Sequence, residues 1–277
     1  YDFVSHDQLL KILLNCEIEN LSPKEKIYLC YSKANIYHQN KEHKKSSYFL
    51  KIANEEKLKI QPSDIKRKLN TGEYYRNLRL GRNLNIERIT NNSRYLFIVG
   101  MPRCGSTLLE SILSLNPQVQ DLGEVCFLEE SLQKTDDLIE VENLYAEKVK
   151  LINSEKKIFT DKNLFNFLYC PIICKLFPNA RIIHCSRNPL DNILSIYRTN
   201  FLNQSFSSSL NDIADLYLYQ MKLMHEYKSK FESMIYSYDH DKVVQNPEET
   251  IKNLINWLNW EWSEKYLSPQ KSKRSVF

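Results

Sequence analysis

The chain has 277 residues, 42% of them hydrophobic and 26% charged, a globular composition long enough for one large or two ordinary domains. No run approaches about 18 apolar residues, so the sequence offers no membrane-spanning helix. A net charge of +4 is too mild for the dense basic face of a nucleic-acid binder and suits anionic small ligands instead.

Both ends read as cut, since the chain starts at Tyr1 and stops at Phe277 in mid-pattern. Leu9, Leu10, Ile12, Leu13 and Leu14 are interrupted by Lys11 and follow no basic segment, so a signal peptide is not supported. Residues 1–92 read as a helical region. Ser22 caps a helix that has Pro23 at its first position and runs to Tyr37, with Ile27, Cys30, Tyr31, Ala34 and Tyr37 on one stripe. After a polar turn at 39–44, Tyr48, Phe49, Ile52 and Ala53 form a second stripe. The small residues Ala34, Ser46 and Ala53 fit a tetratricopeptide-type helix pair, but such arrays need about three repeats and one is visible. An ordinary helical subdomain is an equal reading. Either offers a surface for a protein partner.

The Asn/Arg-rich stretch 82–94 reads as a linker. Beyond it, strands and helices alternate, the signature of a parallel-sheet α/β domain over 93–277. Strands are predicted at Tyr95–Val99, Lys157–Thr160, Arg181–Cys185 and Met234–Tyr238. Helices are predicted near 105–115, 164–176, 189–199, 211–230 and 247–258. The last carries Asn246 as cap, Pro247 at the first position and Glu249 to complete a capping box. Seven cysteines without paired spacing read as reduced thiols in a cytosol-like, cytoplasmic setting. Cys170 and Cys174 lie four apart, but no second Cys/His pair joins them, so no metal site is expected.

The most informative segment is Tyr95 to Thr107: an apolar strand, a loop bounded by Gly100 and Gly105, then a helix. The loop spans the G-x-x-x-x-G of a phosphate-binding loop, yet Ser106 stands where a nucleoside triphosphatase needs lysine. Backbone N–H groups at a helix N-terminus still make an anion site without metal. Ligands of open α/β sheets bind beyond the carboxyl ends of the strands. Those ends carry Arg103, then Asp161-Lys162-Asn163, then Ser186-Arg187-Asn188-Pro189 with Asp191 and Ser195 on the following helix, then Tyr238-Asp239. Three cations at three strand ends join one phosphate loop.

The run Val99 to Glu110 resembles the 5′-phosphosulfate loop of sulfotransferases, and Ile182 to Ser195 resembles their 3′-phosphate loop. With helices in front, residues 20–277 resemble the tetratricopeptide-repeat sulfotransferases, whose catalytic domain is similar to that of tyrosylprotein sulfotransferases. The resemblance implies a P-loop-like three-layer α/β domain and the donor 3′-phosphoadenosine 5′-phosphosulfate (PAPS). It also implies no metal, and transfer of a sulfuryl group to the hydroxyl of a peptide tyrosine, a saccharide or a small alcohol. Carried over residue by residue, Arg103, Cys104, Gly105, Ser106 and Thr107 would hold the 5′-phosphosulfate. Arg187 and Ser195 would hold the 3′-phosphate, with Tyr238 nearby. Glu124 matches the general base, with Asp161 the next candidate, and Lys162 and Arg103 would neutralise charge at the sulfuryl group. Cys104 departs from the family's usual serine, and Thr199 falls where the tyrosylprotein branch has an arginine, with Arg198 one place off. A lid over the nucleotide is expected beyond Phe277.

The residue types suit the chemistry. Fixed cations neutralise a departing nucleotide phosphate, and a carboxylate takes the acceptor's proton as the new bond to sulfur acidifies it. On the residues alone Glu124 reads equally as a turn carboxylate. Two alternatives stand beside the sulfotransferase: a P-loop kinase of small molecules, weakened by Ser106, and a non-catalytic helical interaction protein with a nucleotide-binding domain.

Overall fold

The computed structural model describes residues 6–78, 94–153 and 155–272. The linker expected at 82–94 and the division at 92/93 fall almost wholly outside them. Contacts divide the chain into two compact units: Tyr1–Leu69 with Ile193–Tyr217, and Asn70–Asn192 with Leu218–Phe277.

The first unit contains α1 (His6–Asn15), α2 (Pro23–Gln39), α3 (His43–Ile60) and the start of α4 (Ile65–Asn77). Ser22 and Glu25 form a full capping box ahead of Pro23, which fixes the start of α2. Its end is a Schellman turn: Lys41 sits at φ 61 and the Glu42 N–H reaches back to the Tyr37 carbonyl at 2.8 Å. That reversal folds α3 against α2 around Ile27, Cys30, Tyr31, Ala34, Leu50 and Ala53. Tyr48, expected on the buried stripe, is exposed; Leu50 takes its place.

The second unit is built on a five-stranded parallel sheet in the order β2-β3-β1-β4-β5: β1 (Arg94–Gly100), β2 (Val119–Gly123), β3 (Ile158–Asp161), β4 (Arg181–Ser186) and β5 (Ile235–Asp239). The sequence predicts four of these strands within a residue or so of their bounds and omits β2. Between the strands lie α5 (Ser106–Leu113), α6 (Phe127–Lys134), α7 (Leu138–Ile152), α8 (Cys170–Leu176), α9 (Pro189–Tyr197) and α10 (Leu210–Lys230), and after β5 come α11 (His240–Gln245) and α12 (Pro247–Trp257); residues 193–217, the end of α9 and the start of α10, count with the first unit.

Period-two alternation sorts the strand residues onto two faces. Leu96, Ile98, Ile158, Ile183 and Cys185 pack with Leu109, Ile112 and Leu113 of α5 and with Ile251, Leu254 and Ile255 of α12. Tyr95 and Phe97 face the other way, into an aromatic cluster where Tyr145 of α7 and Phe177 lie 5.1–5.9 Å from them, ring centre to ring centre. The sheet is thus the middle of three layers.

Two helix predictions need correction. The stretch expected as one helix over 164–176 is a 3₁₀ turn at Leu164–Tyr169 followed by α8, since Pro171 enters at the start of α8 and supplies no N–H. Asn246 precedes Pro247, but its side chain makes no cap bond, so the capping box with Glu249 does not form. Its own N–H closes α11 on the Lys242 carbonyl at 2.7 Å, which holds Asn246 as the shared joint of two helices.

Candidate active site

β1 sits between β3 and β4: from it the chain runs to β2 and β3 on one side and then crosses to β4 and β5 on the other. The crevice beyond its carboxyl end is the topological switch point of the sheet. The phosphate-binding-type loop 100–105 fills that position. Among the described residues three non-glycines have positive φ, and two of them, Lys41 and Asn259, end helices. The third is Arg103, at φ 66, in the middle of this loop. A left-handed non-glycine costs roughly 1–2 kcal/mol, and the loop is pinned well enough to hold it. Asn192 Nδ2 donates to the Pro102 carbonyl at 2.8 Å, and the Cys185 thiol donates to the Cys104 carbonyl at 3.1 Å.

Gly105, at φ 90, caps α5 without a side chain, so the first N–H groups of the helix have no cap bond from Gly105. Ser106 and Thr107 open that helix, Ser106 being buried and Thr107 half-buried. A Cβ on Gly105 would collide with the His240 ring. Sequence reasoning passed over His240, which stands one residue beyond Tyr238-Asp239. Burial, and next the nearby Arg187 guanidinium, hold its imidazole below the ordinary range. Its Nδ1 is buried without a hydrogen bond. The only sequence signal was its place at the end of a strand.

The unpredicted strand β2 delivers Glu124. Gly123, at φ 75, ends the strand, and its carbonyl accepts the Lys162 N–H at 2.9 Å. This bond ties the end of β2 to the turn after β3. Lys162 Nζ then lies 2.6 Å from Glu124 Oε1. The lysine side chain is 3% exposed and the glutamate 73%, so the pair joins a buried cation to a solvated carboxylate. On its inner side Lys162 Nζ is 3.8 Å from Oε2 of Glu110, a fully buried residue of α5. Glu110 Oε1 accepts from the Thr160 hydroxyl at 3.3 Å. In the sequence Glu110 closes the loop motif with no sign of a role.

Asp161, the second candidate base, does not reach this cluster. The alternation of β3 turns Thr160 toward α5 and Asp161 toward α7. There its carboxylate accepts from the Tyr145 hydroxyl at 3.1 Å, the Asn166 amide at 3.1 Å and the Asn163 N–H at 3.0 Å. Burial raises its pKa to about 7. It is a structural carboxylate at the root of the Lys162 turn.

At the end of β4, Arg187 is partly exposed, 3.9 Å from Asp191. Asn188 Oδ1 caps α9 through the N–H groups of Leu190 and Asp191, and the Asn188 N–H binds Asp241 at 2.6 Å. Asp191 and Ser195 share one face of α9, four residues apart; by contacts Ser195 belongs to the first unit. Tyr238 lies near the end of β5 with its side chain turned inward. It is 0% exposed within the core beneath α5 and α12, its hydroxyl has no hydrogen bond, and burial pushes its ionisation far up. Arg103 to Thr107, Glu124, Lys162 and Arg187 thus follow the carboxyl ends of β1, β2, β3 and β4, with His240 against Gly105 and Glu110 buried beside Lys162.

Among the described residues no group of three or more His, Cys, Asp or Glu could hold a metal ion, and no helix is long and apolar enough to cross a membrane.

Comparison with known proteins bears on the same segment. A protein of Aquifex aeolicus without an assigned function is 29% identical over 212 residues, 67% of this chain. The chain spans only 28% of that protein's length. A Caenorhabditis briggsae protein provisionally named a protein-tyrosine sulfotransferase is 23% identical over 197 residues, 65% of this chain and 70% of its own. The sulfotransferase domain of the Synechococcus PCC 7002 olefin synthase superposes with a TM-score of 0.52 at 18% identity, over 66% of this chain and 79% of that domain. The sulfotransferase domain of the curacin biosynthetic pathway gives 0.50 at 16% identity, over 65% and 79%. Both share the fold. The profile described as "Sulfotransferase family" matches residues 96–143 and 139–264, from β1 through α12 and across every strand end named above, and the chain belongs to that family.

Proposed function

We propose that the chain transfers a sulfuryl group from PAPS to an acceptor hydroxyl, with Glu124 as general base. The observation that carries this reading is the 2.6 Å contact between Lys162 and Glu124 at the mouth of a phosphate loop that lacks the P-loop lysine. A phosphosulfate suits the cradle: the N–H groups at the head of a helix favour an anion, Gly105 admits close approach, and Arg103 and Lys162 supply charge. Arg187, at the next strand end, is the group for the 3′-phosphate.

In this reaction the acceptor oxygen forms a bond to sulfur as the bond from sulfur to the phosphate oxygen breaks. Glu124 takes the acceptor's proton, and the electron pair left on the nucleotide phosphate is neutralised by Lys162 and Arg103. A carboxylate is a weak base for a free hydroxyl; it works here because the proton becomes acidic as the new bond forms. Lys162 must leave Glu124 for the donor, which frees the carboxylate when substrate is in place.

The acceptor is a hydroxyl, and the name of the Caenorhabditis relative puts peptide tyrosine first among those to try. The test is transfer of labelled sulfate from PAPS into tyrosyl peptides, saccharides and small alcohols. Incorporation into any one of them, lost in Lys162→Ala, supports the reading. No transfer to any acceptor, together with no binding of 3′-phosphoadenosine 5′-phosphate, would sink it.

A further inference from the structure

We propose that Glu110 is a positioning residue for Lys162: a fixed buried counter-ion that holds the lysine in place while it changes partners. The kinetic part of this inference rests on the proposed function; the charge pairing does not. Glu110 is wholly buried on α5, one turn beyond Ser106, among Leu109, Ile112 and Leu113. Packing alone would favour another aliphatic residue there, because a buried carboxylate is costly unless it is paired. The Thr160 hydroxyl contacts Oε1, and the Lys162 ammonium lies 3.8 Å from Oε2, within ion-pair range and beyond a direct hydrogen bond.

The geometry separates two carboxylates by duty. Glu124 is solvated and bonded to Lys162 at 2.6 Å, so it can give up that bond when a substrate arrives. Glu110 is fully buried and shut off from solvent. With Glu110 behind it, Lys162 can swing from Glu124 to a donor oxygen without passing through a state in which a buried ammonium has no counter-charge. Glu110 also rides on the helix whose head forms the phosphate loop, so the lysine is indexed to the anion cradle and not only to β3.

The test joins kinetics to an activity-independent measurement. Glu110→Gln keeps the shape and removes the charge; kcat is expected to fall about 10- to 100-fold, the scale of a misplaced catalytic group, while nucleotide affinity stays near wild type. Glu110→Asp, which keeps the charge, should recover much of the loss. A double-mutant cycle of Glu110→Gln with Lys162→Met in urea unfolding reads the pairing directly. Glu110→Gln should destabilise the protein when Lys162 is present and lose most of that effect when it is absent. Equal destabilisation in both backgrounds overturns the proposal. If Glu110→Gln alone fails to fold, recovery of folding in the double variant supports the pairing, and failure of the double variant overturns it. The cycle remains readable even if the chain transfers no sulfuryl group at all.

Discussion

Replacing Asp161 by asparagine should make the protein progressively more stable, relative to wild type, as pH rises from 4 to 8. Asp161 is fully buried, and burial lifts its pKa from 3.8 to about 7. Between those values the folded protein holds a proton that the unfolded chain has released. Folding therefore takes up a proton, and stability falls with pH across that window. The contribution is complete below 3.8 and gone above about 7. Each unit is worth 1.36 kcal/mol, so about three units give a difference on the order of 4 kcal/mol between the two ends. Asparagine does not titrate there. It keeps an oxygen for the Asn163 N–H and the Asn166 amide, and the Tyr145 hydroxyl can rotate to accept from its amide.

The wild-type curve alone would mislead. His184 is buried in β4, hydrogen-bonded to Gln220, and burial lowers its pKa from 6.5 to about 3. Its contribution has the opposite sign: present above 6.5 and lost as pH falls toward 3. The two slopes oppose each other in the wild type and separate only in the difference between variants, where His184 cancels. Urea unfolding of wild type and Asp161→Asn at half-unit steps measures that difference. Parallel stability curves across the whole range would refute the reasoning, because Asp161 would then titrate alike in both states.

Glu124→Gln should reduce kcat by about 10²–10⁴-fold, as expected for loss of a general base, with nucleotide affinity close to wild type by calorimetry; full activity would remove Glu124 from that role. Arg187→Ala should weaken binding of 3′-phosphoadenosine 5′-phosphate by about 2 kcal/mol, the scale of a hydrogen bond to a charged group. It should leave an analogue without the 3′-phosphate unaffected, and equal losses for the two nucleotides would place Arg187 elsewhere. Gly105→Ala forces a side chain into left-handed backbone and against the His240 ring, so a melting-point drop reflecting roughly 1–2 kcal/mol from the backbone alone and at least tenfold weaker nucleotide binding are expected. A variant that melts and binds like wild type would mean the cradle has room to spare.

What the sequence made legible follows from how each feature is encoded. β1 and β4 are runs of buried apolar residues flanked by loops with their own chemistry, so both strands and the cations after them were readable. β2 has only Val119 and Leu122 to mark it, between Pro117 and Gly123, and its strand character comes from pairing with β3, which no local pattern records. Glu124 was therefore found through family resemblance and not as the end of a strand. Tyr238 shows a different ambiguity. A tyrosine after an apolar run looks the same in sequence whether its hydroxyl meets a ligand or its ring fills a core, and the packing of α5 and α12 decides for the core. Glu110 was hidden for a deeper reason. On a helix with Leu109, Ile112 and Leu113 around it, one carboxylate reads as an ordinary polar interruption, and its meaning depends on a lysine 52 positions later. Lys162 comes within 3.8 Å of it because the sheet sets β3 directly beside β1, at whose end α5 begins. Charge pairs across such a join are written in the strand order, and the strand order is what composition and periodicity leave open.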